Sequence, residues 1–193
     1  MRHKPMLAYP VSDKPIDYSV KNFIQPKLDG VRCLIQYEIP FGSGHIPNSG
    51  KVVAYSRTGK EWKNIDHILF HLKGFFELNP NVVLDGELYN HDLKDDFEKI
   101  ISCVRKTKPT ENHREESKKL VQFHCYDVIL DGVKNFDKPN FAVRNEWIRH
   151  NVPNGHCIKH VETHEIYAEK YAKDLHGINL SKGYEGSILR INA

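Results

Sequence analysis

Gln25-Pro26-Lys27-Leu28-Asp29-Gly30-Val31-Arg32 is the most informative stretch of this 193-residue chain. It places a lysine at the end of one predicted strand, 22–27, and a glycine turn before the next, 31–39. A free lysine has a pKa near 10.4, so only about one side chain in 2,500 is a neutral, nucleophilic amine at pH 7. Burial and nearby cations favour the neutral amine, which makes this turn a candidate nucleophile site. The alternative is a surface lysine beside an ordinary Asp-Gly turn.

Hydrophobic periodicity extends this reading along the rest of the chain. The further predicted strands are Lys51 to Arg57, Val82 to Leu88, Leu120 to Leu130, Cys157 to Val161 and Tyr184 to Ile191. The predicted helices cover Ile65 to Phe76, Phe97 to Val104, Phe141 to His150 and Ile166 to Leu175, with Asn64 as the N-cap of the first and Asn79-Pro80 as its stop. A loop, Pro40 to Gly50, joins two strands, and the charged connection from Lys106 to Lys119 is predicted to be a mobile loop.

Strands and helices follow one another without a regular β-α-β alternation. This order disfavours a doubly wound parallel sheet and predicts an α+β fold with mainly antiparallel sheets and flanking helices. A length of 193 residues and a hydrophobic fraction of 39% fit one domain, residues 1–193.

Composition excludes some classes of protein. No run approaches the roughly 18 apolar residues of a membrane span, and the N-terminus lacks the apolar stretch of a signal peptide, so an intracellular location is expected. The four cysteines form no C-x-x-C pair and are expected to be buried thiols. A net charge of +3 permits a nucleic-acid partner without requiring one. His67 and His71 have the i, i+4 spacing of a metal pair, but they flank the apolar stripe and are interpreted as surface residues.

Two carboxylates lie in otherwise apolar strand segments. Glu87, within Val83 to Tyr89, can accept a ribose hydroxyl or hold a metal, and a solvent-facing glutamate is the alternative. Glu185 leads into the segment ending at Arg190 and is a natural oxygen ligand for Mg²⁺, with an ordinary strand-edge glutamate as the alternative.

A further segment, Phe123 to Ile129, alternates in a way that predicts two faces of a strand, with Phe123, Cys125 and Asp127 on one face and His124, Tyr126 and Val128 on the other. The ring of Tyr126 can stack on a purine base. Core packing is the alternative for an aromatic residue in a strand.

Taken in order, these segments resemble the motifs of the covalent nucleotidyltransferase superfamily, and most closely those of ATP-dependent DNA ligases. The matching segments are Lys27 to Arg32, Tyr55 to Gly59, Leu84 to Tyr89, Phe123 to Ile129 and Glu185 to Arg190, after a lead-in of Pro5 to Ala8. The resemblance implies the ligase nucleotidyltransferase fold, which is ATP-grasp-like and forms a nucleotide-binding groove.

The resemblance also implies a role for each matching residue. Lys27 is expected to be the nucleophile that accepts AMP, Arg57 to contact a DNA phosphate, and Glu87 and Glu185 to face Mg²⁺. The ATP-binding residues that it implies are Gln25, Pro26, Lys27, Leu28, Arg32, Glu87 and Tyr126. AMP would pass from ATP to Lys27 and then to the 5′-phosphate of nicked double-stranded DNA, where a 3′-hydroxyl displaces it. The protein is expected to act as a monomer away from membranes.

Two departures from the family pattern qualify these expectations. Gln25 stands where DNA ligases usually carry a glutamate that accepts the adenine amino group, which weakens the argument for adenine over guanine. The family's last motifs and its C-terminal OB-fold would lie beyond Ala193, so we expect the chain, taken as a fragment, to charge itself slowly or not at all with AMP.

Other functions remain open from the sequence. An RNA ligase or an mRNA-capping guanylyltransferase shares the lysine and the acidic motifs. The protein could also be a non-catalytic nucleic-acid-binding module with the same fold, and not an enzyme. The presence of Lys27, Glu87 and Glu185 makes this alternative less favourable.

Overall fold

The computed structural model describes residues 6–13, 15–39, 50–130, 133–134 and 136–191. The strands in these residues are β1 (Asn22–Lys27), β2 (Val31–Glu38), β3 (Lys51–Tyr55), β4 (Val83–Tyr89), β5 (Gln122–Ile129), β6 (Ile158–His160), β7 (His164–Ile166) and β8 (Gly186–Ile191). The helices are α1 (Asp66–Leu78), α2 (Phe97–Val104), α3 (Glu111–Leu120), α4 (Phe141–Asn151) and α5 (Glu169–Ser181). Two short 3₁₀-helices span Val11–Asp13 and His91–Leu93.

The strands form two sheets. One has the order β7-β1-β8 and is antiparallel throughout. The other has the order β3-β2-β4-β5-β6 and is antiparallel except for the pairing of β5 with β6. The predicted α+β class with mainly antiparallel sheets is therefore confirmed.

Each sheet has its own apolar core. One face of the five-stranded sheet packs on α1, α2 and α4, and the fully buried Phe76, Leu84 and Phe123 lie in this larger core. The three-stranded sheet packs on α5 through Ile24, Ile166 and neighbouring apolar residues. Because the helices cover these faces, the two sheets are free to form a groove between their remaining surfaces.

Most predicted elements are present with ends shifted by a few residues. The predicted hairpin is confirmed, because β2 and β3 form an antiparallel pair. Of the predicted loop between them, Pro40 to Gly50, all residues but Gly50 lie outside the described part of the chain. All four cysteines are buried free thiols, as predicted. In the described part of the chain, no helix has the length and apolar character needed to cross a membrane.

Asn64 is not the N-cap of α1. Ile65 occupies that position without a side-chain cap, and α1 continues to Leu78. The Asn64 side chain, 1% exposed, instead donates to the backbone carbonyls of Cys103 and His113 at 2.9 and 3.1 Å. Asn64 therefore fastens the start of α1 to α2 and α3, which a local capping rule does not anticipate.

The segment predicted to be a mobile loop contains α3. Thr110 caps the helix by accepting from the amide of His113, whose ring accepts from the Thr110 amide in return. Glu111 lies in the first turn and two lysines in the last, which complements the helix dipole. Prediction failed because α3 has a polar composition and buries only Ser117.

The predicted helix from Ile166 to Leu175 is also partly wrong. Residues His164–Ile166 form β7, and α5 begins only at Glu169. Ile166 is fully buried and pairs with Asn22 of β1. Ile166 lies six residues before Ala172, the first buried residue of α5, and a strand of three residues is too short to show its own period, so the sequence did not separate the two elements.

Candidate active site

A groove of about 1370 Å³ lies between the two sheets. Strands β1 and β8 form one wall, and parts of β2, β4 and β5 form the other. Every site residue that the sequence predicted lines this groove, namely Gln25, Pro26, Lys27, Leu28, Arg32, Arg57, Glu87, Tyr126 and Glu185. The fold thus gathers residues from distant segments at one surface, while their chemical roles stay predictions.

Lys27 and Glu185 are held together by strand pairing. Lys27 is the last residue of β1 and pairs with Gly186 of β8, and the Glu185 amide donates to the Lys27 carbonyl at 3.2 Å. The Lys27 amine donates to a Glu185 carboxylate oxygen, and both side chains are close to half exposed. The amine therefore faces a carboxylate and solvent, whereas the nucleophile argument expected a buried amine beside Arg32.

Gly30 allows the turn after Lys27 to approach β4. A Cβ atom at Gly30 would lie 2.6 Å from both Cγ of Glu87 and the carbonyl oxygen of Leu88. Real Cβ atoms do not approach other heavy atoms that closely, so any other residue would push the turn away from Glu87. The glycine of the motif thus brings the lysine turn and the acidic strand together.

Arg32 forms a bidentate ion pair with Asp85, in which Nε lies 2.9 Å from Oδ1. Burial lowers the pKa of Arg32, but the hydrogen bonds and negative charge of Asp85 outweigh it and raise that pKa overall. Nη1 also donates to the Met6 carbonyl at 2.7 Å. Sequence reasoning missed Asp85, because the partner of Arg32 depends on the β2–β4 register.

Glu87 lies opposite Arg32 in that register, and its carboxylate accepts from the Tyr126 hydroxyl at 3.4 Å. Burial raises the pKa of Glu87 to about 8, despite the opposing charges of Arg32 and Lys27. It is therefore a partly desolvated groove residue and not a freely solvated glutamate. A hydroxyl donor or a cation entering the groove would restore interactions that its carboxylate lost on burial.

A β-bulge directs Tyr126 into the groove. Asp85 pairs with Asp127, whereas the next residue, Gly86, pairs with Cys125, so Tyr126 is the extra residue. Cys125 and Val128 both lie in the larger core, whereas Tyr126 lines the groove. Phe123, Cys125 and Asp127 are all buried, as the predicted alternation requires, but Val128 shares the core with Cys125 and not the face of Tyr126, because a bulge breaks the two-residue period.

The Tyr126 ring is flanked by cations. The guanidinium carbons of Arg32 and Arg190 lie 5.5 and 5.2 Å from its centroid. A flat ring between such groups is a preorganised surface for a base, since guanidinium planes also stack on aromatic systems.

Gln25 is 2% exposed, and its side-chain amide is already engaged by the protein. Nε2 donates to the Tyr126 carbonyl at 3.2 Å and to Oγ1 of Thr163 at 2.9 Å, while Oε1 accepts from Nε of Arg190 at 2.9 Å. One lone pair of Oε1 is left for a ligand donor. The expected contact between Gln25 and a base therefore rests on that single acceptor.

Asp127, Arg144 and Arg190 form a buried charge cluster that sequence reasoning missed. Asp127 is 4% exposed and accepts from Nε and Nη2 of Arg144 at 2.7 and 3.1 Å. Nη1 of Arg190 lies 3.5 Å from the same carboxylate. The cluster fixes Arg190 beside Tyr126 and Gln25, so it supports the end of the groove where these side chains meet.

A second group of cations lies at the outer edge of the groove. Arg57, Lys60 and Arg105 line it, and none of them forms an ion pair within the described residues. Lys27, Arg32, Arg144 and Arg190, which also line the groove, each have a carboxylate partner. We call Arg57, Lys60 and Arg105 the cationic rim.

Comparison with known proteins identifies the family. The profile described as the ATP dependent DNA ligase domain matches residues 5–192, and the chain belongs to that family. No curated protein sequence matches the chain significantly.

Solved structures share the fold at low sequence identity. The chain resembles Pmar-Lig_Pre with a TM-score of 0.69 and 24% identity, over 96% of this chain and 42% of that one. It resembles the Chlorella virus DNA ligase–adenylate with a TM-score of 0.63 and 19% identity, over 98% and 59% of the two chains. An archaeal ATP-dependent RNA ligase gives a TM-score of 0.56 at 16% identity, over 89% and 40%. The chain thus spans between two fifths and three fifths of the length of these relatives.

Proposed function

We propose that this chain is the adenylation domain of a DNA ligase, in which Lys27 takes AMP from ATP and passes it to the 5′-phosphate of a DNA nick. The observation that carries the proposal is the meeting of Lys27 and Glu185 in the same groove as Glu87 and Tyr126. Membership of the ATP-dependent DNA ligase domain family supports it.

In the first step, Nζ of Lys27 attacks the α-phosphorus of ATP, a nitrogen–phosphorus bond forms, and pyrophosphate leaves. The amine donates to Glu185 in this structure, so its lone pair becomes available only when that proton leaves and the carboxylate finds another partner. An oxygen of the 5′-phosphate then attacks the lysyl-AMP phosphorus and releases the amine. Finally, the 3′-hydroxyl attacks the activated 5′-phosphate and AMP leaves. Positioning and charge neutralisation supply most of the catalysis in such reactions.

Mg²⁺ fits the donors that the groove offers. The described residues contain no group of three or more His, Cys, Asp or Glu side chains placed to hold a metal. Mg²⁺ in nucleotide enzymes commonly binds one or two carboxylates and completes its shell with phosphate and water oxygens. Glu185 and Glu87 would supply the protein oxygens, and the ion would neutralise the triphosphate charge.

Intact mass measurement with ATP and Mg²⁺ tests the nucleophile. We expect slow addition of at most one AMP per chain, mapped by digestion to the peptide that contains Lys27 and absent from Lys27→Ala. Lys21→Ala is the matched control, because Lys21 is a half-exposed lysine that precedes the same strand and pairs with Glu165. An adduct that persists in Lys27→Ala would overturn the assignment, as would the absence of both an adduct and any ATP-dependent rise in melting temperature.

Two comparisons separate DNA ligation from its alternatives. Labelled ATP and GTP in the adduct assay distinguish a ligase from a capping guanylyltransferase. Sealing of a nicked DNA that already carries a 5′-adenylate, tested beside the matching RNA, distinguishes DNA ligase from RNA ligase, whose archaeal representative shares the fold. A non-catalytic module would bind DNA and remain unaffected by Lys27→Ala in every assay.

A further inference from the structure

The proposed active-site residues are divided between the two sheets. Lys27 and Glu185 belong to the three-stranded sheet and its entry, whereas Glu87 and Tyr126 belong to the five-stranded sheet. The short turn of residues 28–30 connects the sheets on the Lys27 side. Glu185 follows the turn of residues 182–184 after α5, and its distance from Glu87 depends on what holds that turn.

His91 makes the contact between this turn and the five-stranded sheet. Its Nε2 lies 3.1 Å from the Lys182 carbonyl, and its Nδ1 lies 2.7 Å from the Tyr89 hydroxyl. A carbonyl can only accept, so Nε2 must carry the proton and donate to Lys182. In the neutral ring, Nδ1 then accepts from Tyr89, and both nitrogens of His91 are used.

The rings of His91 and Tyr184 also pack together, with centroids 4.4 Å apart and an interplanar angle of 33°. Beside them, Lys94 lies across Gly183, where a Cβ atom would be 2.7 Å from Cε of the lysine. Gly183 has a φ of 86°, which favours glycine. Three consecutive residues before Glu185 are thus held by the segment around His91.

The two residues before His91, Tyr89 and Asn90, are themselves held in place by neighbouring residues. Tyr89 is 2% exposed and makes an edge contact with the His124 ring. Asn90 accepts from the Asp92 amide through Oδ1 at 3.0 Å and donates to the Leu120 carbonyl through Nδ2 at 2.9 Å. These bonds leave His91 little freedom, so its contacts transmit the position of the five-stranded sheet to the turn.

We infer that His91 is a positioning residue, which uses its donor to Lys182 and its ring contact with Tyr184 to hold Glu185 in place in the groove that Glu87 also lines. This inference rests on the proposed function for its catalytic consequence. The positioning itself does not, because it follows from the contacts of His91 alone.

Amide hydrogen exchange tests the positioning without any catalysis. We expect His91→Ala and His91→Asn to weaken protection of the amides of residues 183–185, which bond to the carbonyls of Leu180, Asn179 and Lys27. Protection in β4 and β5 should remain, since a general loss of stability would lower it everywhere. His91→Gln should preserve protection, because its longer side chain can place an amide donor where Nε2 lies, whereas asparagine is too short.

The rate of lysyl-AMP formation in the same variants tests the consequence. We expect a loss of at least about tenfold in His91→Ala and His91→Asn and a much smaller loss in His91→Gln, since small misplacements in active sites cost large factors. His156→Ala, which removes an exposed histidine, is the control. The ¹⁵N chemical shifts of the His91 ring should show the Nε2–H tautomer. This measurement uses the wild-type chain, so it does not depend on the folding of any variant.

The outcomes separate the two proposals. Unchanged protection at residues 183–185 in His91→Ala, equal loss throughout β4 and β5, or an Nδ1–H tautomer would overturn the inference. A wild-type rate in His91→Ala would also overturn it. If the wild-type chain shows neither lysyl-AMP nor an ATP-dependent rise in melting temperature, but the local loss of protection is found, positioning by His91 stands and the proposed function fails.

Discussion

Asp127 shows how a single buried carboxylate supports the groove. It is 4% exposed and is shared by Arg144 and Arg190, whose own side chains are 16% and 15% exposed. Removal of one member of a buried charge cluster leaves the others desolvated without compensation. Asp127 is therefore more important to the fold than its absence from the sequence motifs suggests.

We predict that Asp127→Ala lowers the free energy of unfolding by about 3 to 5 kcal/mol, because two partly buried guanidiniums lose their partner. Urea unfolding measures the change. Asp95→Ala should have an effect below about 1 kcal/mol, since Asp95 is 89% exposed and forms a surface ion pair with Lys94. Equal effects of the two substitutions would contradict the assigned role of the cluster.

His124 gives the fold a pH dependence. Burial lowers the pKa of His124 to about 4 from an ordinary value of 6.5, with Lys159 and His91 adding to the effect. The unfolded chain then binds a proton that the folded chain rejects between about pH 6.5 and 4, so stability is lost as the pH falls through this window.

We predict that His124→Gln weakens the acid destabilisation between pH 7 and 5 by about 1 to 2 kcal/mol, because glutamine takes up no proton. Urea unfolding at the two pH values gives the difference. His156→Gln, at an exposed position, should leave the slope of the wild type in place. If the free energy of unfolding of His124→Gln fell between pH 7 and 5 as steeply as that of the wild type, other groups would control the acid destabilisation.

The site residues themselves were largely predictable from sequence, since Lys27, Glu87, Tyr126 and Glu185 all line one groove. Their partners were not. Asp85 meets Arg32 through the register of β2 and β4, and Asp127 meets Arg144 through the packing of α4 on β5. Both contacts depend on how separate segments pair or pack, which the local sequence does not specify.

At the level of elements, helix α3 shows where periodicity fails. It is a polar helix with one buried residue, and its start is defined by the capping box of Thr110 and His113. The apolar stripe that identifies α1 and α2 is absent, so the cap and the charges at the two ends of α3 were its sequence signals. Conversely, the predicted helix began at Ile166, the last residue of β7, because a strand of three residues is too short to show the alternation of a strand.

We predict that Thr110→Ala destabilises the chain by about 1 kcal/mol, the usual value for loss of an N-cap hydroxyl. Thermal or urea unfolding detects this change, and circular dichroism should show a small loss of helix. Thr107→Ala, an exposed threonine in the same connection, provides the control. No difference between the two variants would indicate that α3 is held by its packing and not by its cap.

At the level of the whole molecule, the distribution of charge along the groove favours a long anionic ligand. The inner cations are neutralised by carboxylates, whereas the cationic rim has no partner within the described residues. The Asn64 bonds tie the segment that follows Arg57 and Lys60 to the end of α2, where Arg105 is the C-cap residue. These bonds thus join the two segments that carry all three charges, and such a group of cations suits contacts with phosphates.

We predict that Arg105→Glu and Arg57→Glu each weaken binding of nicked duplex DNA about equally for different sequences, and lower the slope of log K against log salt by about one. Fluorescence anisotropy at several salt concentrations measures both quantities. Arg149→Glu is the control, because Arg149 is exposed on α4 and does not line the groove. Equal losses in all three variants would mean that net charge alone is responsible.

The pairing of β1 with β8 has a mechanical implication. Their register runs without interruption from Asn22↔Ile191 to Lys27↔Gly186, while β7 accompanies β1 only as far as Ile24. The last half of β1 is thus paired with β8 alone. A movement that narrows the groove therefore moves Lys27 and Glu185 together. Their mutual spacing stays constant during such a movement, and the contacts of His91 with the turn before Glu185 oppose it.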